Sequence, residues 1–203
     1  MKQNENGDYI EIKTILLGEH AVGKTNLINA TIGVDFNEDS NPTLTSTYVV
    51  KKFNINEKKY LMKIWDTVGM EKYRSFTKIF YKNSNIIIFV YDITRQKTFD
   101  ELEYWLNEVQ NNIENFHVKA IVGNKTDLLD FEQVNEEAAR DYAKSKKSCF
   151  KLVSAKVYPK NFSLFVEEML KFYIKNKKGK LEENNAKIVL NSKNKNKKNI
   201  CHC

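Results

Sequence analysis

The sequence predicts an α/β fold, a six-stranded and mostly parallel sheet with helices covering both faces. Two observations carry this. Short apolar runs alternate with segments whose apolar residues recur at helical spacing, which is how parallel strands and their crossover helices are written in a chain. Four polar motifs directly follow four of those apolar runs, as expected where a parallel sheet gathers its ligand-binding loops at the carboxyl ends of its strands.

Ile10 to Leu17 reads as the first strand, and residues 25 to 31 as the first helix. Tyr48 to Asn54 and Tyr60 to Trp65 are strands close enough to form a hairpin around Asn56-Glu57. Ile86 to Tyr91, Val118 to Val122 and Cys149 to Val153 are the short apolar runs of buried strands. Between them, Thr98-Phe99-Asp100-Glu101 matches a capping box, followed by Leu102, Leu106, Val109 and Ile113 at helical spacing. Phe162, Phe165, Val166, Met169, Leu170 and Tyr173 form the same stripe on a last helix, and both stripes read as core faces.

With 203 residues, 41% of them hydrophobic, the chain can bury one sizeable core. The expected division is a flexible extension over 1–9, a domain over 10–175 and a disordered tail over 176–203, rich in Lys and Asn. The polar start has no apolar stretch of the secretory kind, and the longest apolar run, Ile86 to Tyr91, is too short to span a bilayer. A cytosolic protein is expected, and Cys149, Cys201 and Cys203 suggest no disulfide framework. The net charge of +7 would suit a nucleic-acid binder, but ten Lys and only two Glu lie from Lys171 onward. The body is therefore close to neutral, and no nucleic-acid partner is expected.

Gly18-Glu19-His20-Ala21-Val22-Gly23-Lys24-Thr25 spells G-x-x-x-x-G-K-[ST] between a strand and a helix. The glycines let successive N–H groups face one point, where the helix N-terminus adds positive character, so a polyphosphate fits. Lys24 would reach the β- and γ-phosphates and Thr25 would ligate Mg²⁺; the plainer alternative is a glycine-bearing turn. The other three motifs decide against that alternative. Asp66 ends the third strand and can hold Mg²⁺ through water, with Gly69 free to approach a γ-phosphate. Asn124-Lys125-Thr126-Asp127 ends the fifth: the Asp127 carboxylate can accept from both the ring N–H and the amino group of guanine, a donor pair that adenine lacks. Lys125 can pack its stem on the base. Ser154-Ala155-Lys156 ends the sixth, where the Ala155 N–H can meet the guanine carbonyl.

Together these residues resemble the small GTPases of the Ras superfamily, and specifically the Rab family. Met62-Lys63-Ile64-Trp65-Asp66-Thr67, Glu71-Lys72-Tyr73-Arg74-Ser75-Phe76-Thr77, Phe80-Tyr81-Lys82 and the terminal Cys201-His202-Cys203 carry the resemblance. It implies a three-layer P-loop NTPase fold and a switch that binds GTP or GDP with Mg²⁺ and hydrolyses GTP. The family's Mg²⁺-binding switch threonine falls on Thr43, and Phe36 falls where an aromatic packs on guanine; covering the first helix is the alternative for Phe36. Implied partners are an exchange factor, a GTPase-activating protein, effectors, a Rab escort protein and a GDP-dissociation inhibitor. The Cys-x-Cys end implies prenylation of Cys201 and Cys203 and a peripheral place on the cytosolic face of an endomembrane, reached in vesicle trafficking. A metal clip of Cys201, His202 and Cys203 lacks a fourth ligand.

Departures from the family matter as much. Leu44-Thr45-Ser46-Thr47 replaces the usual effector sequence. Met70 stands where the family has the glutamine that orients the attacking water, and a thioether cannot hold water in that way. With Val68 crowding the γ-phosphate and His20 a bulky side chain in the loop, slow hydrolysis is expected; the plainer reading of His20 is a solvated side chain. Lys24 and Thr43 remain the catalytic groups. The rival within this reading is a non-cycling, GTP-bound scaffold, which the co-purifying nucleotide would reveal. A P-loop nucleoside kinase would leave Asn124-Lys125-Thr126-Asp127 without a role.

Overall fold

The computed structural model describes residues 9–37, 47–66 and 81–197, with side chains described as far as 179. Thr43, Val68, Gly69, Met70, Cys201 and Cys203 lie outside the described residues.

Six strands form one sheet: β1 (Ile10–Leu17), β2 (Thr47–Ile55), β3 (Lys58–Asp66), β4 (Ile86–Asp92), β5 (Val118–Asn124) and β6 (Cys149–Leu152). Their order across the sheet is β2-β3-β1-β4-β5-β6. Among the described strands, only the β2–β3 pair is antiparallel; β1 runs parallel to both β3 and β4, and β5 parallel to β4 and β6. The β2–β3 hairpin turns at Asn56 and Glu57, both with positive φ, the backbone that a two-residue turn between twisted strands requires. Among the described residues the helices are α1 (Lys24–Thr31), α2 (Gln96–Asp100), α3 (Leu102–Asn112), α4 (Glu136–Ser145) and α5 (Pro159–Lys197), with a 3₁₀ turn over Thr126–Phe131.

Alternation along the strands divides the core into two layers. Ile12, Leu16, Ile64, Ile88 and Val122 face α1 and α5, where Leu27, Phe162, Val166 and Leu170 meet them. Ile15, Leu17, Ile87, Phe89 and Ile121 face the other way, onto Leu102, Trp105 and Leu106 of α3 and Ala139 and Ala143 of α4. Each fully buried aliphatic or aromatic side chain stabilises the fold by about 1.5–3 kcal/mol. Every residue of β4 is buried because that strand is central and covered on both faces, which is why it reads as an unbroken apolar run.

One expectation is corrected. Thr98 does not cap a helix: it lies within α2, where its hydroxyl donates to the Arg95 carbonyl at 2.8 Å and accepts from the Asp92 N–H at 3.0 Å. The hydroxyl serves the turn after β4, while α3 begins at Leu102 with no side-chain cap on Glu101. α5 runs from Pro159 to Lys197, across residue 176 where the tail is expected to start. No proline follows Pro159, and Lys, Glu, Leu and Ala extend an already nucleated helix at small cost, so the polar composition of this stretch does not by itself end the helix.

Candidate functional site

The chain leaves β1 at Leu17 and makes a turn that only glycine permits at its ends. Gly18 has φ +147°, and a Cβ there would lie 2.1 Å from the Val90 carbonyl oxygen of β4. Gly23 has φ +92°, and its Cβ would lie 2.4 Å from Asn124 Nδ2. Between them Ala21 also takes positive φ. The loop is thus pressed onto the ends of β4 and β5, with its backbone bare where a phosphate chain would lie. Lys24, only 6% exposed, turns its ammonium back over the loop and donates to the Gly18 and Glu19 carbonyls at 2.8 and 2.7 Å. No acidic residue occupies the first turn of α1 to oppose an anion at its N-terminus. Glu19 and Val22 complete the loop, and the His20 side chain is exposed, as its plainer reading expected.

Asp66 ends β3 at 5% exposure, one residue past the Ile15–Trp65 pairing that sets β3 beside β1. Its carboxylate and the Thr25 hydroxyl are hard oxygen donors of the kind Mg²⁺ accepts, and that ion takes few protein ligands when phosphate oxygens supply the rest. Among the described residues, no group of three or more His, Cys, Asp or Glu could hold a metal by itself. The residues therefore fit a cation held jointly with a phosphate, and do not fit a cage made of protein alone.

The loops after β5 and β6 meet through side-chain hydrogen bonds. The Ser154 hydroxyl donates to Asp127 Oδ1 at 2.6 Å and accepts from the Val157 N–H at 3.0 Å, which fixes the carboxylate's direction. Asn124, 2% exposed, donates from Nδ2 to the Val22 carbonyl at 2.8 Å and accepts from the Ala155 N–H at 3.3 Å. Its side chain is spent on bracing the phosphate loop. Lys125 adopts φ +69° and its Nζ lies 2.6 Å from Asp92 Oδ2, so the ammonium end of the stem is anchored. The Lys156 ammonium lies 5.7 Å from the centre of the Phe36 ring, which places that aromatic across from the Ser154 loop. Phe36 is 37% exposed.

Asp92 and Arg95 are the site residues that sequence reasoning missed. Asp92 ends β4, paired with Asn124 across the sheet, and is 1% exposed. Its Oδ1 accepts from the Thr94 N–H at 3.0 Å and the Thr94 hydroxyl at 2.7 Å, and its Oδ2 from Arg95 Nε at 3.0 Å. Burial pushes this carboxyl up, but the hydrogen bonds from Lys125 and Thr94 outweigh it and hold the group below the usual carboxylate range. Arg95 Nη2 donates to the His20 carbonyl at 2.9 Å. The signal was available: Asp92 ends a strand at the same edge as the four motifs.

A glycine-framed anion loop, a carboxylate at the end of β3 and a serine-oriented aspartate, all at one sheet edge, define a nucleotide-binding P-loop protein. A model of the Ras family matches residues 13–174, and the chain belongs to that family. It is similar to human Ras-related protein Rab-22A, 36% identical over 157 residues covering 77% of this chain and 81% of the relative. It is also similar to GTP-binding protein ypt3 of Schizosaccharomyces pombe, 36% identical over 155 residues covering 76% and 72%. Ras-related protein RABA1h of Arabidopsis thaliana is 33% identical over 154 residues, covering 76% and 70%. Within the Ras family the chain is a Rab-family small GTPase.

Proposed function

We propose that this Rab-family GTPase is a guanine-nucleotide switch that binds GTP or GDP with Mg²⁺, engages effectors on a membrane surface in vesicle trafficking, and hydrolyses GTP slowly. The observation that carries the base assignment is the Ser154–Asp127 hydrogen bond of 2.6 Å, which leaves a directed carboxylate to receive the two guanine donors. The Gly18–Thr25 loop would take the phosphates, and Thr25 and Asp66 would hold the cation, which would screen the charge on the phosphate oxygens. Lys24 then exchanges its loop carbonyls for phosphate oxygens. Phe36 covers the base from the side of Lys156, and Thr43 and Gly69 follow the γ-phosphate, so that its loss releases both segments.

Slow hydrolysis rests on Met70. A group that orients the attacking water contributes about 10²–10⁴ in rate, or about 3–5 kcal/mol of barrier, and a thioether cannot supply that hydrogen bonding. Anchoring rests on Cys201 and Cys203, since one lipid chain holds a protein marginally and two hold it stably. No described helix is long and apolar enough to cross a membrane. Residues 10–175 form the GTPase domain in this reading, with an exchange factor, an activating protein, an escort protein and a GDP-dissociation inhibitor as partners.

The test is to purify the full chain, identify its bound nucleotide, and challenge it with GDP and ADP. Displacement by GDP alone is the expected result, and equal displacement by ADP would overturn the base assignment. Imaging the full chain beside one lacking Cys201 to Cys203 tests the anchor; unchanged membrane association would remove it.

A further inference from the structure

The phosphate loop and the base loop are separate in sequence, yet a nucleotide must touch both at once. Two side-chain straps join them. One is Asn124, which belongs to the base motif itself. The second runs through residues outside every motif: from the His20 carbonyl to Arg95 Nη2 at 2.9 Å, from Arg95 Nε to Asp92 Oδ2 at 3.0 Å, and from the same Asp92 oxygen to Lys125 Nζ at 2.6 Å.

We propose that Arg95 is a positioning residue for bound nucleotide: through the buried Asp92 it ties the loop that holds the phosphates to the loop that reads the base, and so slows nucleotide release. The proposal rests on the guanine-nucleotide reading above.

The geometry suits the role. Asp92 is 1% exposed and Arg95 42% exposed, so a fixed carboxylate in the interior is read by a guanidinium at the rim. Arginine presents donors in a rigid fork, and here its two nitrogens serve different elements, Nε the end of β4 and Nη2 the phosphate loop. A lysine, with one compact ammonium on a flexible stem, would keep the ion pair or the carbonyl but would not hold both in one geometry. Thr94 keeps Asp92 in place from the opposite side with its N–H and hydroxyl, so the carboxylate does not swing after either cation.

The kinetic consequence follows from preorganisation. A ligand that spans two loops leaves only after one of them gives way, and a tie between them suppresses that first opening. Losing a charge-assisted bond to the His20 carbonyl would raise the release rate by roughly ten-fold. The on-rate, set by encounter with an open site, would change little. A residue important only for folding behaves differently, because it lowers thermal stability without altering release from the folded complex.

The experiment uses the full chain loaded with fluorescent GDP and Mg²⁺, and compares the unaltered protein with Arg95→Ala and Arg95→Lys. Release and association rates are read by stopped flow with excess unlabelled GDP, and melting temperature is read at saturating GDP. The expected result is release faster by about ten-fold in Arg95→Ala, intermediate in Arg95→Lys, with association within two-fold. Release unchanged within two-fold in Arg95→Ala overturns the proposal, whether or not melting falls. Full restoration by Arg95→Lys also overturns it, since charge alone would then suffice. If the unaltered chain takes up no fluorescent GDP, the nucleotide reading itself fails; uptake with unchanged release sinks only the role of Arg95.

Discussion

The Asn124 side chain bridges two loops, donating to the Val22 carbonyl at 2.8 Å and accepting from the Ala155 N–H at 3.3 Å from a position that is 2% exposed. Its amide nitrogen also fills the space a Cβ on Gly23 would need, at 2.4 Å. One asparagine thus sets how close the Gly18–Thr25 loop sits to the Ser154–Lys156 loop, and Gly23 is what allows that approach.

Asn124→Ala leaves a buried carbonyl and a buried N–H without partners, at about 1–3 kcal/mol for each group. The expected outcome is a fall in stability of about 2–6 kcal/mol by chemical denaturation, together with a loss of GDP affinity of ~100-fold by fluorescence titration. Retention of affinity within three-fold would show that the bridge does not position the loops.

Ser154→Ala removes the hydroxyl that directs Asp127 while leaving the carboxylate in place. GDP affinity should fall by roughly ten-fold, with preference over ADP reduced but not abolished, because one oriented hydrogen bond is lost and the charge remains. Competition between GDP and ADP for the same loaded protein measures both. An unaltered preference would mean that the 3₁₀ turn alone aims Asp127.

Met70→Gln should raise single-turnover GTP hydrolysis by about 10²-fold or more, as a water-orienting group is restored. Equal rates in the two proteins would remove the case for a long-lived GTP state. The measurement is made without any activating protein, so that only groups in this chain contribute.

Acid should expose the Asp92 network. Its carboxyl is depressed in the folded state by Lys125 and Thr94 despite a burial effect that raises it. A depressed carboxylate contributes stability that is present above its unfolded value of about 3.9 and is lost as pH falls through the lower folded value. Melting temperature followed from neutral pH to below pH 4 should therefore drop more steeply for the unaltered chain than for Asp92→Asn, which starts lower and has no such proton to gain. Parallel curves would show that Asp92 carries no such linkage.

The strands and loops were legible because their causes are local. β1 spans the predicted Ile10 to Leu17, and the G-x-x-x-x-G-K-[ST] stretch forms its turn because Gly18 and Gly23 alone tolerate the required φ and the contact with neighbouring strands. Asp127 and Ser154 were both named, and the sheet brings them to hydrogen-bond distance because β5 and β6 run parallel and end at the same edge. The capping box at Thr98 failed because hydroxyl partners depend on the turn that precedes the helix, and that turn returns Thr98 to Asp92.

What sequence by itself determined is the four polar motifs at the ends of the strands, the alternation that builds a parallel sheet, and the family to which the chain belongs. Tertiary structure decided how those motifs are tied together. Asn124 serves as a brace, Lys125 is anchored to Asp92, and Arg95 reaches back across 75 positions to the His20 carbonyl. Such bonds join residues far apart in the chain, and only the order in which the strands pack brings their donors and acceptors within reach.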